Sequence, residues 1–502
     1  MKPDSILARN VFRLQQKRFR YGAFATLLLI AVYFSAVLKP SLNLSALKLQ
    51  MSVGLGWDVL QVQQTNSSQQ VIESEQLNQK IRAEELKNAS HQGEDSGVQK
   101  SASNPTILIA RNGSESETNI SEVTKNLEPL CDVSQPRTDV CEINMDVHVD
   151  GNLSSVFVVS SQADMLAGNS SWTIRPYARK EDKQALNHVR EWSVKRVSDA
   201  QQEILQCTRN HSVPAVLFST GGYTGNHFHE FTDMVIPLYI TSRKYDGEVQ
   251  FLITDKRSRW IEKYQSILKG MSKYEIIDID KEDAVHCFPS VTVGLKRHPK
   301  DLSIDPSKHS YSITDFRAFL RKAYSLKKAN AIRIRGGGRH KKPRLLIISR
   351  RSTRCFTNPR QITKMARSLG YKVTVMEADR NMSRTAEVVN SCDVLMGVHG
   401  AALTNILFLP ENAVLIQILP LGGFEWLATN YFGEPSRDMK IKYLEYKINR
   451  SESTLKIDPN KNRIRGWQAF KSTFLNAQNV TLNVKRIRTT LKKALGLLHR
   501  IQ

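Results

Sequence analysis

Cysteine is scarce, with six in 502 residues. None of the six pairs as C-x-x-C, which excludes the usual zinc ribbons and fingers and favours a disulfide role. They are Cys131, Cys141, Cys207, Cys287, Cys355 and Cys392. Their connectivity cannot be deduced, and Cys392, at the start of an apolar run, also fits a free core thiol. A phosphate loop is missing too: Gly336-Gly337-Gly338 lacks the spaced glycines and the Lys-Ser/Thr pair that such a loop needs. Acidic residues are outnumbered, 48 against 72 Lys and Arg, for a net charge of +24. No zinc spacing or RNA-binding aromatic signature accompanies that charge, so no nucleic-acid partner is expected. The remaining polyanions are nucleotide diphosphates, acidic polysaccharide or an anionic membrane face, against the plainer reading of a solvated basic surface.

Long apolar runs are missing except for one. Tyr21–Leu38 is uncharged and about the length that spans a bilayer. Lys2, Arg9, Arg13, Lys17, Arg18 and Arg20 precede it and only Lys39 follows closely, which keeps residues 1–20 cytosolic. A cleaved signal peptide is the rival, but the run is long for one and no small-residue cleavage site follows. A signal anchor over 21–38 is expected, with the remainder in the secretory lumen. Asn-x-Ser/Thr acceptors agree with a lumenal location. They fall at Asn43, Asn66, Asn88, Asn112, Asn119, Asn152, Asn169, Asn210, Asn381, Asn449 and Asn479, the last eight being the expected glycosylation sites. Residues 39–127 are rich in Gln, Ser, Asn and Glu without sustained periodicity, and read as a largely disordered stem.

From residue 128 the pattern becomes globular and α/β. Ser155–Val159, Ala215–Ser219 and Val249–Thr254 read as strands, Glu181–Leu205 as a basic helical segment, and Thr314–Leu326 as an amphipathic helix with Thr314 as its cap. Strands alternating with helices predict a doubly wound parallel sheet over 128–326. Residues 327–344 form a basic, Gly-rich linker. A second unit over 345–483 runs strand Leu345–Ser349, helix Gln361–Leu369, strand Lys372–Glu377 and short helix Arg384–Asn390. Residues 484–502 form a basic amphipathic helix that either crosses both units or lies on the surface. Two such α/β domains in series, each with a parallel sheet, place a ligand cleft between their carboxyl-end loops.

The stretch Ser391–Pro420 is the centre of this organisation. Strand Asp393–Val398 ends at His399-Gly400, a helix opens over Ala401–Asn405, and Val414–Leu419 returns as a strand. The free N–H groups at such a helix start can seat a phosphate. Small residues at Gly400, Ala401 and Ala402 admit a ligand to the backbone, with His399 and Asn405 as added donors. The rival reading is ordinary α/β packing.

Four blocks together resemble the plant members of glycosyltransferase family 61. They are CDVSQPRTDVCEI (Cys131–Ile143), GGYTGNHFHEFTD (Gly221–Asp233), RLLIISRRSTRCFTN (Arg344–Asn358) and GVHGAALTNILFLPENAVLIQILP (Gly397–Pro420). The resemblance covers Cys131 to the C-terminus. It implies a single-pass type II Golgi membrane enzyme, a GT-B-like pair of Rossmann-type domains, inversion and a UDP-sugar donor. The blocks are most similar to the xylan-decorating branch, which implies transfer of xylose (β-1,2) or arabinofuranose (α-1,3) from a UDP-pentose onto xylan. One departure is Ala402, where the family usually has Gly. Alternatives are the core β-1,2-xylosyltransferase of N-glycans and a non-catalytic lumenal carbohydrate-binding protein.

Such a transfer needs a base for the acceptor hydroxyl and compensation for the leaving diphosphate. His229 and Asp233, four apart, share a helical face; His229 is the expected base, with Asp233 orienting it or serving in its place. Arg350, Arg351 and Arg354 follow a buried strand and suit bidentate phosphate contact. Asn358, His399, Gly400, Ala401, Thr404 and Asn405 complete the expected donor cradle. Asp278-Ile279-Asp280 has the D-x-D form of a metal site, but the triplet is short and ends a strand, so no divalent cofactor is expected. Glu425 and Trp426 suit a donor or acceptor contact, a core Trp being the rival. Trp172 and Trp192 stay open between core and acceptor side. Donor sugar, acceptor position and oligomeric state are not legible.

Overall fold

The computed structural model describes residues 129–160, 171–198, 206–334, 341–377, 381–456 and 466–499. The expected tail, anchor and stem, together with Asn112, Asn119 and Asn169, lie outside them. No helix of the described residues is long and apolar enough to cross a membrane.

Twelve strands build the first lobe: β1 (Cys131–Asp132), β2 (Val140–Ile143), β3 (Val147–Asp150), β4 (Ser155–Ser160), β5 (Ser171–Ile174), β6 (Trp192–Ser198), β7 (Arg209–Asn210), β8 (Ala215–Ser219), β9 (Gln250–Thr254), β10 (Ile277–Asp278), β11 (Val285–Phe288) and β12 (Val291–Val293). They form two six-stranded mixed sheets, β1-β2-β12-β8-β9-β10 and β5-β6-β4-β3-β11-β7. In the first, β12, β8, β9 and β10 are parallel and β2 joins antiparallel. β8 and β9 are buried at every position, as apolar runs in a covered parallel sheet must be. A core of Val147, Val149, Val156, Val158, Trp192, Val194, Leu217, Leu252 and Phe288 draws on both sheets.

A second sheet therefore covers part of what the sequence reading gave to helices. The helical reading of Glu181–Leu205 fails at β6. Trp192 and Val194 alternate with Ser193 and Lys195, a period of two that outweighs the basic composition. Trp192 is core, settling that alternative, while Trp172 is half-buried with Arg196 6.0 Å over its ring. Disulfides join Cys131 to Cys141 and Cys207 to Cys287. Cys355 and Cys392 are free, Cys392 within the core.

The second lobe is one parallel sheet of five strands: β13 (Arg344–Ile348), β14 (Lys372–Met376), β15 (Val394–Val398), β16 (Val414–Leu419) and β17 (Lys442–Lys447), in the order β14-β13-β15-β16-β17. The order reverses between β13 and β15, where an open α/β sheet leaves a crevice beyond its carboxyl ends. The C-terminal helix Val484–His499 packs on this lobe through Ile487, Leu491, Ala494 and Leu498, and the Tyr371 hydroxyl donates to the Leu491 carbonyl at 2.9 Å. The segment after residue 326 is also bound to this lobe: Lys328 pairs with Asp393 at 2.5 Å, and the Ala331 N–H donates to the Glu411 carbonyl.

One aromatic core passes between the lobes, with Phe231 6.1 Å from Phe408 and 6.5 Å from Phe316. Phe316 belongs to helix Ile313–Ala323, whose cap is Ser312 in a capping box with Asp315, not Thr314. On this helix Arg317, 1% exposed, donates to the carbonyls of Leu407, Leu409 and Met439. Arg317→Ala strands three buried acceptors. It is expected to lower stability by about 3–5 kcal/mol, read as a denaturant midpoint shift at unchanged slope.

Candidate active site

A cleft of about 1670 Å³ lies between the lobes. The first lobe contributes the loop and helix after β8. Asn226 caps that helix by accepting from the Phe228 N–H at 3.1 Å, and the helix widens into a π-helical turn over Glu230–Val235. Such widened turns recur at functional sites because they re-aim side chains.

His229 faces the cleft, and its Nδ1 lies 3.0 Å from Asp233 Oδ2. Asp233 is fully buried and receives Arg179 Nε at 2.8 Å, Tyr177 O–H at 3.2 Å, Arg297 Nη1 at 2.9 Å and Thr232 O–H at 3.0 Å. Burial opposes its charge, yet Arg297, His229 and Arg179 hold its carboxyl well below the usual carboxylate range. An ionised carboxylate can only accept, so Nδ1 of His229 carries a hydrogen, and in the neutral ring Nε2 is the basic nitrogen. Arg179 Nη2, 3.0 Å from the same Nδ1, is then a neighbouring charge and not a hydrogen-bond donor to it. Asp233 does not reach the cleft. The expectation that it can itself take the proton fails on that burial, and it is a positioning residue.

His227, two residues earlier, also lines the cleft, but both its nitrogens are committed. Asn405 Nδ2 donates to the Ala402 carbonyl at 2.8 Å, which turns its oxygen toward His227 Nε2 at 3.3 Å. Nδ1 receives Lys263 Nζ at 3.3 Å, because the Tyr264 hydroxyl gives its hydrogen to Glu230 at 2.7 Å. Burial pushes this imidazole below its ordinary pKa. Of the two histidines, only His229 has a free basic nitrogen toward the cleft.

The second lobe contributes the loops after β13 and β15, on either side of the strand-order reversal. Arg350 and Arg354 both line the cleft. Arg354 is 9% exposed, and its Nη1 donates to the His399 carbonyl at 2.8 Å, while its buried Nε has no partner. Burial, then the nearby Arg350, pulls its guanidinium down to about 10. No carboxylate among the described residues pairs with either. Arg351 is not part of the pair: its side chain is 89% exposed and bound to Glu377 at 3.0 Å.

His399 is 6% exposed, and burial followed by Arg354 lowers its pKa to about 3. Gln417 gives its amide hydrogen to Nδ1 at 2.6 Å, its oxygen being occupied by the Tyr443 hydroxyl at 2.9 Å. The ring is thus neutral, with Nε2–H as its donor. Gly400 sits at φ +143°, and a Cβ there would lie 2.4 Å from Arg354 Nη1. Gly400→Ala is expected to displace Arg354 and weaken diphosphate binding about tenfold, measured by calorimetry, and to lower the melting temperature because an L side chain is strained at this φ.

Ala401–Phe408 is a 3₁₀ helix, and Ala401, Ala402 and Asn405 line the cleft. Ala402 is not among the residues with positive φ, so its methyl costs no backbone strain. Two expected donor residues are misplaced. Thr404 is fully buried behind the cleft wall. Asn358 is occupied with Leu482, donating to its carbonyl at 2.8 Å and accepting from its N–H at 3.1 Å, and so ties down the C-terminal segment. Asp280 accepts from Thr254 O–H and Asp255 N–H, both at 2.7 Å, and Asp278 pairs with Lys256 and Lys281, so the acidic triplet holds its own loop. Glu425 pairs with Lys447 at 3.2 Å. Asn152, Asn210 and Asn449 are exposed, Asn381 is exposed on the cleft rim, and Asn479 is half-buried with its oxygen accepting from the Cys355 N–H.

Arg179, Arg297, His227, Lys263 and Glu230 escaped the sequence reading. His227 and Glu230 were within a block already singled out. The two arginines lie 54 and 64 positions from Asp233, with no local pattern to betray them.

The family model described as Glycosyltransferase 61 matches residues 228–416, from the His229 helix to β16. A Beta-1,2-xylosyltransferase (XYXT1) of Oryza sativa subsp. japonica is 40% identical over 78% of this chain and 89% of its own length. An Alpha-1,3-arabinosyltransferase (XAT3) of the same organism is 42% identical over 79% and 70%. A Xylan glycosyltransferase (MUCI21) of Arabidopsis thaliana is 35% identical over 72% and 78%. With these matches running through both walls of the cleft, the chain belongs to glycosyltransferase family 61 and is a glycosyltransferase.

Proposed function

We propose that the enzyme transfers a pentose, xylose or arabinofuranose, from a UDP-sugar to xylan with inversion, in a GT-B-like cleft. The observation that carries the reading is one juxtaposition: the buried Arg354 and the half-buried Arg350, neither in an ion pair with a carboxylate among the described residues, in the same cleft as Nε2 of His229. The acceptor hydroxyl attacks the anomeric carbon, its proton passes to His229 Nε2, and the bond to the diphosphate breaks with its electron pair leaving on UDP. Arg350 and Arg354 compensate the charge that develops there, and the neutral His399 Nε2–H adds a donor. The xylan acceptor follows the relatives described above, two named for pentosyl transfer and one for xylan. The apolar run at 21–38, the basic residues before it and the exposed Asn-x-Ser acceptors support a Golgi type II membrane protein with a lumenal head.

The full chain in microsomes, given UDP-xylose or UDP-arabinofuranose and xylo-oligosaccharides, should add one pentose in β-1,2 or α-1,3 linkage, read by product mass and linkage analysis. No product with either donor overturns the proposal. Products confined to N-glycans would transfer it to the core xylosyltransferase reading. With two arginines at the diphosphate and the acidic triplet committed elsewhere, transfer should survive EDTA.

A further inference from the structure

Trp426 is the most exposed large apolar side chain among the described residues, at 68%. The core reading of this Trp is thereby excluded. It does not line the cleft itself, but an unbroken run of rings connects it to the base. His229 lies 5.6 Å from Phe228, Phe228 5.1 Å from Tyr431, and Tyr431 6.4 Å from Trp426, centroid to centroid. On the other side of His229, Tyr223 is 4.6 Å away. The track begins on the first lobe at the proton acceptor, crosses the cleft at Phe228–Tyr431, and ends at the surface of the second lobe.

Trp467, the other strongly exposed tryptophan at 55%, belongs to a different run. It stacks on Phe470 at 5.6 Å, Phe470 meets Phe424 at 5.0 Å, and Phe424 meets His399 at 5.3 Å. That arm lines the cleft on the anion side, beside Arg354, and reaches His229 only by the longer path through His399, Phe432 and Phe228. Trp426 reaches the group that receives the acceptor's proton through Tyr431 and Phe228 alone, from outside the cleft lining.

We propose that Trp426 is a distal acceptor subsite, a platform on which the apolar face of a β-linked pyranose stacks several sugar units from the reacting hydroxyl. This rests on the polysaccharide acceptor proposed above. The Trp426 indole touches one ring, Tyr431, and is otherwise open to solvent, so its face is available to a ligand. A sugar face presents axial C–H groups over a flat area that an indole matches, while its hydroxyls stay solvated. A polymeric acceptor necessarily extends out of the cleft from the unit at His229. A monosaccharide or a short glycan would never reach Trp426, so the platform discriminates by chain length.

The test compares xylobiose with xylohexaose in the detergent-solubilised full chain. The unaltered enzyme should show a larger kcat/KM for xylohexaose. Trp426→Ala should shrink the xylohexaose-to-xylobiose ratio about fivefold to tenfold, through KM, and Trp426→Tyr, which keeps a ring, should restore most of it. Tyr274→Ala, an exposed ring on the first lobe outside the cleft lining, serves as the control and should leave the ratio alone. Xylohexaose added without donor should change the tryptophan fluorescence, a change absent in Trp426→Ala. An unaltered ratio in Trp426→Ala, or equal losses for both acceptors, overturns the subsite while leaving the function reading intact. If the unaltered enzyme uses neither acceptor, the function reading falls and the subsite with it.

Discussion

His229→Gln is expected to lower kcat about 10²- to 10⁴-fold while leaving UDP affinity within about twofold of the original. The amide can still donate to Asp233, so the cluster around that carboxylate survives, but no basic nitrogen remains toward the acceptor hydroxyl. Asp233→Asn is the companion variant. A neutral amide removes one buried countercharge from Arg179 and Arg297, which keep Asp182 and Asp301, and can present a hydrogen to Nδ1, which forces the proton onto Nε2 and removes the base by tautomer. Its activity should therefore fall about as far as that of His229→Gln, with an added loss of stability that His229→Gln lacks. Rates and denaturation curves for both variants separate the two effects. A fully active His229→Gln enzyme would sink the assignment of the base.

The second large effect is on the anion side. Each charge-assisted hydrogen bond to a phosphate is worth about 1.5–3 kcal/mol, so Arg350→Met with Arg354→Met should weaken UDP binding by about 10²- to 10³-fold or more. Stability should change less than for the usual core mutation. Arg354 is buried with an unpartnered Nε and a guanidinium held below its ordinary pKa by burial and by Arg350. Replacing it by an apolar side chain of similar length relieves that cost but leaves the His399 carbonyl without this donor, so the unliganded double variant should melt within a few degrees of the unaltered protein. Calorimetry with UDP and a thermal scan without it give the two readings; unchanged UDP affinity would move the diphosphate elsewhere.

The sites legible in sequence were those written in short-range spacing. His229 and Asp233 four apart, the strand–Gly–helix joint at His399-Gly400, and arginines directly after a buried strand each need only local geometry to be recognised. The same locality explains the errors. Asn358 and Thr404 stand close in sequence to true cleft residues, but a side chain's direction depends on what packs against its element: Leu482 claims Asn358, and the core claims Thr404. At β6, composition misled because Trp192 and Val194 are buried in a core shared with residues of the other sheet, such as Leu217 and Leu252.

From the residues alone came the α/β class, the family blocks, the candidate base and the strand–Gly turn at His399-Gly400, since alternation, helical periodicity and turn chemistry act over a few residues. Tertiary structure alone decided which histidine keeps a bare nitrogen, which arginines go without a carboxylate, and that a second sheet backs the first lobe. Those depend on partners tens to hundreds of positions away, such as Arg297 for Asp233 and Asn405 for His227. A proton's position and a charge's cost are set by neighbours in space, and chain order does not record which neighbours those are.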